Sequence, residues 1–369
     1  MEGKPLDRKE RGPEPLREPQ GGKTEKSLRR KRLRLIAILA FVLLNGTVLF
    51  FSARSDFSKE APPITFELFS PRNLLSLGCA VLCVAAAIGA ETGKYLLLMR
   101  KLGQRFSPRV AFETMILGKY YDCVTPTGAG GQPFQIYHLH VNGYTGGARS
   151  AMPLACFMST QYAFVMLALV LFIFNNEAAD ALGIRIAAYV GLVAYSAVPT
   201  LVALTAVSPA LSGRIVSFFV RLGARLRLVK EPEATIERVE SALHRYSVSL
   251  RVIVASRKLT VMLFVLSLVY QVALCSIPFF VVRIFDGGLG YVESLTMCLY
   301  VYASVTLVPT PGNAGAAEGS FYILFDQLDT TGVFWAMLIW RFLCYYLFIL
   351  LGLVVYGCRY VERKRARSR

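Results

Sequence analysis

Two short stretches of this 369-residue chain interrupt apolar runs with glycine, proline and polar residues. The first reads Gly118-Lys119-Tyr120-Tyr121-Asp122-Cys123-Val124-Thr125-Pro126-Thr127-Gly128-Ala129-Gly130-Gly131-Gln132-Pro133-Phe134-Gln135-Ile136-Tyr137. The second reads Val308-Pro309-Thr310-Pro311-Gly312-Asn313-Ala314-Gly315-Ala316-Ala317-Glu318-Gly319-Ser320-Phe321. Both follow one grammar: an apolar helix, a Pro/Thr break, a loop of small residues, then a polar residue opening a new apolar segment. Proline and glycine end a helix and free backbone groups, each of which costs several kcal/mol in hydrocarbon unless satisfied. Such a loop belongs inside protein or beside a water-filled cavity. The helix that restarts aims amide donors into that cavity, and helix N-termini bind anions, phosphate included. Gln132 and Gln135 add side-chain donors. Thr125, Pro126, Gly130, Gly131, Gln132 and Gln135 in the first stretch, and Pro311, Gly312, Gly315 and Glu318 in the second, are therefore candidate substrate-binding residues, with a phosphodiester headgroup as ligand. The plainer alternative is a tight helix crossing, which small residues also permit.

Ionisable groups at membrane depth are costly and usually functional. Arg341 stands about ten residues into an otherwise apolar run and completes the candidate set. It is expected to face the interior and either pair with Glu318 or hold a lipid phosphate; the alternative is an arginine that snorkels to the interface. Glu91 and Lys94, three residues apart, form a candidate pair. Lys119 and Asp122 flank the first loop.

The elements that must position these residues are helical spans. The chain is 54% hydrophobic and only 18% charged, with a mean hydropathy of +0.48. Several runs reach the roughly 20 residues that cross hydrocarbon as a helix, and the alternating pattern of a β-barrel is absent. Full spans are expected at about 33–52, 73–99, 151–174, 184–207, 259–282 and 332–356. The first run follows too long a leader to be a signal peptide and reads as an uncleaved helix. Residues 1–32 read as a disordered basic tail ending in Arg29-Arg30-Lys31-Arg32, and 358–369 as a second basic tail.

Loop charge sets the orientation. The N-terminal tail, 100–109, 208–258 and the C-terminal run are basic and hence cytoplasmic; 53–72 and 175–183 are not, and lie outside. Residues 110–150 must then enter and leave on the cytoplasmic face, and 291–331 on the outer face. The expected fold is an all-α polytopic membrane protein of six spans plus two oppositely directed re-entrant hairpins, the arrangement of inverted-repeat transporters. The alternative for 291–308 is a simple span. The integral domain is 33–357, in the inner (cytoplasmic) cell membrane with both termini cytoplasmic.

Within 208–258, Arg214, Arg221 and Arg225 share one helical face, and Ile215, Phe218, Phe219, Leu222 and Leu226 another. This suits a helix on an anionic leaflet or, alternatively, a solvated connecting hairpin. The net charge of +17 clusters beside apolar spans, which points to headgroups rather than nucleic acid. Six of the eight cysteines lie in apolar segments and behave as small hydrophobes. No CxxC occurs, and His138, His140 and His244 form no ligand set with the cysteines, so neither a metal nor a cofactor is expected. His138 and His140 read as interfacial polar residues.

With Thr125-Pro126, Gly130-Gly131-Gln132-Pro133, Gln135 and Tyr137, the first loop resembles the transmembrane region of the lysylphosphatidylglycerol synthase/flippase family. Pro309-Thr310-Pro311-Gly312 with Gly315 and Glu318 looks like that family's second motif. The likeness covers roughly 33–357. In two-part members this region is assigned to moving aminoacylated phospholipid between leaflets, and a separate soluble domain transfers lysine. That soluble domain is expected to be absent here. The resemblance thus implies the translocation half, acting on a phospholipid or aminoacyl-phospholipid, with anionic headgroups and a separate lipid-modifying synthase as partners. Two alternatives stay open. One is a membrane enzyme or enzyme subunit of the phosphatidylglycerol lysyltransferase type, for which Asp122, Glu318 and His138 are candidates without an evident acid–base spacing. The other is a scaffold for a separate synthase. Neither the oligomeric state nor a meeting of the two loops follows from the sequence.

Overall fold

A computed structural model describes residues 70–367 except 126–127, 129, 145–146, 179–180, 226–230, 232, 238–240, 242–254, 286, 309, 311 and 326–331. The chain divides into a unit of residues 1–46 and a unit of 47–369, and every described residue belongs to the second. The expected N-terminal tail and the expected span at 33–52 lie outside the described residues.

All regular elements among the described residues are helical. They are α1 (Pro71–Lys101), α2 (Pro108–Val124), α3 (Gly131–Val141), α4 (Ala148–Phe174), α5 (Leu182–Val207), α6 (Pro209–Arg225), α7 (Arg257–Arg283), α8 (Tyr291–Ser304), α9 (Ala316–Phe325), α10 (Val333–Arg341) and α11 (Leu347–Arg367). A 3₁₀ turn, Asn176–Ala178, follows α4, and a π-helical turn, Phe342–Tyr346, joins α10 to α11.

The sequence explains the boundaries. α1 and α2 both start at a Ser-Pro pair: Ser70 and Ser107 accept the amides of Asn73 and Val110, each at 3.4 Å, while Pro71 and Pro108 occupy positions whose N–H has no partner in a helix. Arg100 and Lys101 close α1 where cations suit the helix dipole. α2 stops at Val124 because Thr125 precedes a proline, which forces it out of the helical region; its φ and ψ are −106° and 145°.

Among the described residues, four helices are long and apolar enough to cross a membrane: Pro71–Lys101, Ala148–Phe174, Arg257–Arg283 and Val333–Glu362. At 1.5 Å per residue, even the 27-residue helices among them exceed the roughly 30 Å of hydrocarbon. The chain is thus a polytopic α-helical membrane protein. These four coincide with the expected runs 73–99, 151–174, 259–282 and 332–356. The expected run 184–207 is the single helix α5, with a shorter apolar stretch at Leu182–Ala197. The expected hairpin segments appear as two broken helix pairs, α2/α3 and α8/α9.

α7 is the hub, packed against α1, α4, α8 and α10. In lipid, apolar faces gain little by meeting one another, so small residues and polar links carry helix association. Both are present. A Cβ on Gly191 of α5 would sit 1.9 Å from the Ala303 carbonyl oxygen of α8, so only glycine admits that approach. The polar link is Lys94, fully buried. Its ammonium donates to Thr160 Oγ1 at 2.5 Å, Ser267 Oγ at 3.0 Å and the Cys156 carbonyl at 3.2 Å, and pairs with Glu91 at 2.8 Å. One cation thus ties α1, α4 and α7 together, and every partner it needs in a low dielectric is in place.

Candidate functional site

The first break lies between α2 and α3, which run antiparallel: Asp122 meets Gly131, Tyr121 stacks on Phe134, and Gln135 packs over Gly118. Thr125 turns the corner. Its hydroxyl donates to the Tyr121 carbonyl at 2.6 Å and accepts the Gly130 amide at 3.0 Å. Asp122 Oδ1 accepts the Gly131 amide at 2.9 Å. Gly131 must be glycine, because a Cβ there would lie 2.3 Å from Asp122 Oδ1 and 2.8 Å from the Gly118 carbonyl oxygen.

The second break lies between α8 and α9. Gly312, Asn313 and Gly315 have φ of 58°, 55° and 90°, a left-handed run that glycine takes freely and asparagine tolerates. Thr310 Oγ1 donates to the Ala314 carbonyl at 2.9 Å. Glu318 caps the restarting helix, accepting the Gly315 amide at 2.7 Å on Oε2. Its other oxygen accepts Arg341 Nε at 2.6 Å, with both side chains almost entirely buried. Arg341 therefore faces the interior and pairs with Glu318, the first of the two alternatives read from the sequence. Its terminal amines reach the Gly312 carbonyl at 3.4 Å and the Asn313 carbonyl at 3.5 Å, long contacts for a cationic donor.

One amide at each break is already taken, that of Gly131 by Asp122 and that of Gly315 by Glu318. Each restarting helix carries a protein carboxylate at its N-terminus, and each carboxylate has a cation near it: Lys119 for Asp122 and Arg341 for Glu318. Lys119 also lies 5.0 Å from the centre of the Tyr270 ring, which attaches the first break to α7.

The two breaks meet at Tyr345. Its hydroxyl donates to the Cys123 carbonyl, in the last turn of α2, at 3.1 Å. Its ring also fills the space beside Gly312, where a Cβ would come within 2.0 Å of it. Arg341 and Tyr345 are four residues apart across the π turn, with the guanidinium 5.1 Å from the Tyr345 ring centre. π turns recur at functional sites because they re-aim side chains within a helix. Here one helical segment satisfies loose carbonyls of both breaks, with Tyr345 on the first and Arg341 on the second.

Of the candidate residues, Thr125, Gly130 and Gly131 gather around Asp122, and Gly312, Gly315 and Glu318 around Arg341. Gln135 sits one turn into α3 against α2 rather than in the break, and Gln132 is half-buried at the start of α3. Pro126 and Pro311 lie outside the described residues. Tyr345 and Cys123 are not among the candidates that the sequence offers.

A third cluster closes the far end of the first hairpin. Glu113 accepts Arg109 Nε at 2.9 Å and Arg359 Nε at 2.9 Å, and lies 3.4 Å from His138 Nε2. Arg359 also donates to Asn142 Oδ1 at 3.0 Å, and Arg109 pairs with Glu362. The C-terminal part of α11 is thereby clasped onto the ends of α2 and α3.

Residues 34–352 match the family model described as the lysylphosphatidylglycerol synthase TM region. The chain belongs to this family. The matched stretch contains both breaks, Arg341 and Tyr345, and stops before Arg359 and Glu362. Family membership and helical architecture together make the chain a lipid-related membrane protein. No curated protein matches it.

Proposed function

We propose that this member of the family moves a phospholipid or aminoacyl-phospholipid between leaflets without chemical conversion. The observation that carries the reading is the junction at Arg341 and Tyr345, where one helical segment holds two broken hairpins at once. A segment bonded to both breaks can transmit a change at one to the other. In this reading α2/α3 and α8/α9 are re-entrant from opposite faces, six spans surround them, and both termini are cytoplasmic at the cell membrane. Residues 33–357 are the integral domain and the tails flank it. These assignments rest on loop charge and on the need of broken backbone for a protein-lined cavity.

The chemistry follows from competition for Arg341. Its terminal amines hold only long carbonyl contacts, so a headgroup phosphate can replace those with a two-pronged, charge-assisted contact while Glu318 keeps Nε. Gly312 and Asn313 would then be released, and with them the loop against which Tyr345 rests. Carboxylates at both breaks suit a headgroup that also carries an ammonium, with Asp122 accepting it.

The test is translocation in proteoliposomes of the purified chain, using phosphatidylglycerol, its lysyl form and a polyprenyl phosphate, with leaflet exposure read chemically over time. Movement of one of these, lost in Arg341→Met and Gly131→Ala proteins that still fold, is the expected result. No movement of any, or movement indifferent to both variants, overturns it. The family description names a synthase, and that favours one second reading: a membrane subunit of a lipid-modifying enzyme. Product made by the purified chain from lipid and an activated donor would establish that reading instead.

A further inference from the structure

We propose that α6 is a docking surface for anionic glycerophospholipids of the leaflet it borders. The proposal is independent of whether the hairpins move lipid. α6 begins one residue after α5, and α5 carries an apolar stretch at Leu182–Ala197. Taking α5 as one of the six proposed spans places α6, which follows it directly, at the boundary of the bilayer.

Its composition fits that place. Residues 209–225 contain three arginines and no carboxylate. Arg214, Phe218, Arg221, Leu222 and Arg225 fall at spacings of four, seven, eight and eleven residues and form one stripe. All five are exposed, Phe218 at 63% and Leu222 at 42%. Val216 is buried on the other side. The arginines and the apolar residues therefore adjoin, rather than opposing each other as the sequence suggested. An apolar strip flanked by arginines is what an interfacial helix presents: rings and Leu chains enter the acyl boundary while guanidinium groups hold phosphates. The same residues line a shallow, open recess along the helix. Among the described residues, no carboxylate pairs with Arg214, Arg221 or Arg225. The competing occupant within the chain is the acidic stretch that follows; its Glu231, Glu233 and Glu237 are exposed.

The test uses the full chain in vesicles. A Leu222→Cys substitution, made with Cys358→Ser so that the exposed native thiol is removed, carries an environment-sensitive fluorophore. Its quenching by brominated acyl chains is followed as phosphatidylglycerol replaces phosphatidylcholine. Quenching is expected to rise with the anionic fraction and to fall with salt. Neutralising Arg214, Arg221 and Arg225 to Gln should weaken the anionic preference by about fivefold per arginine, as each basic residue near an anionic surface contributes about 1 kcal/mol. Lysine at the same three positions should restore most of it, which separates lost charge from lost folding. Quenching indifferent to the anionic fraction, or unchanged in the triple Gln protein, overturns the proposal. So does quenching that ignores the anionic fraction until Glu231, Glu233 and Glu237 become Gln, because the chain's own acids would then be the occupant.

Discussion

The Tyr345 hydroxyl donates to the Cys123 carbonyl at 3.1 Å across 222 residues of sequence. That bond joins the end of α2 to the π turn before α11, beside a weaker one in which the Cys123 thiol donates to the Tyr345 carbonyl at 4.0 Å. The same ring packs on Gly312, at the other break. Tyr345→Phe keeps the ring and deletes the bond. The Cys123 carbonyl would be left buried and unsatisfied, at a cost of about 1–3 kcal/mol. The expected result is a melting temperature lowered only modestly in detergent, with faster amide exchange in 119–131 and little change around 312–318. Equal acceleration at both breaks, or at neither, would mean that the hydroxyl does not link them.

The Glu318–Arg341 pair calls for a double-mutant cycle. Glu318→Gln leaves a buried guanidinium without its counter-charge, and Arg341→Met leaves a buried carboxylate, each costing about 3–5 kcal/mol. The double variant Glu318→Gln/Arg341→Met removes both charges and should lose less than the sum of the two, because neither ion remains uncompensated. Additive losses in thermal or denaturant unfolding would show that the pair is not coupled. Arg341→Lys separates charge from shape. It keeps the cation but loses the fork, so translocation should fall between that of wild type and of Arg341→Met.

Much of this site was legible in the sequence, and the reason is physical. Proline, glycine and buried charge are each expensive in a bilayer, so their positions mark the breaks and Arg341 without further information. What was not legible is who satisfies whom. Asp122 and Glu318 occupy the helix N-termini that sequence alone left open for an anion, because local capping within nine and three residues is within reach of a short side chain. Tyr345 gave no such signal: a tyrosine in an apolar helix looks like core, and the π turn that aims it has no sequence signature. Glu113 was overlooked for a related reason. Its one local partner is Arg109, four residues earlier; Arg359 and His138 come from the basic end of α11 and from α3, and no sequence spacing joins them to it.

Gly131 offers a steric test. Alanine there would place Cβ 2.3 Å from Asp122 Oδ1, so the carboxylate must leave the Gly131 amide or α3 must shift. Gly131→Ala is expected to lower stability by about 1–3 kcal/mol, the range for overpacking a tight site. Adding Asp122→Ala clears one of the two obstructions, while the Gly118 carbonyl oxygen at 2.8 Å remains. The double variant should therefore recover stability only in part. Full recovery in a melting experiment would mean that α3 yields at the backbone, and no recovery that Asp122 is not the obstruction.

The Glu113 cluster predicts a local rather than a global effect. Arg109 and Arg359 are partly exposed, with side-chain exposures of 56% and 28%, so solvent screening limits what each ion pair contributes. Glu113→Gln should lower overall stability by no more than about 1–2 kcal/mol while loosening the end of α11. Limited trypsin digestion reads this directly. Cleavage after Arg359 should accelerate severalfold while cleavage within 257–283 does not change. Parallel acceleration at both places would make Glu113 a determinant of global stability instead of a clasp.

Lys94 is the opposite case, a cation with no solvent to share its charge. Lys94→Met removes the donor to Thr160, Ser267 and the Cys156 carbonyl and strands Glu91, whose side chain is 10% exposed. The cost of breaking such a buried pair is about 3–5 kcal/mol, enough to compromise folding in a membrane protein whose helices gain little from apolar contact. Glu91→Gln should cost less, because Lys94 keeps three oxygen acceptors. The double variant Lys94→Met/Glu91→Leu replaces ions by apolar side chains of similar length and should recover most of the loss, as buried ion pairs often do on such replacement. Thermal unfolding of all three in one detergent checks the order. If the double variant is folded, its translocation rate per folded molecule decides the role of the cluster: a rate near wild type makes Lys94 a fastener of α1, α4 and α7, whereas a folded but inactive double variant would place its charge in the translocation path.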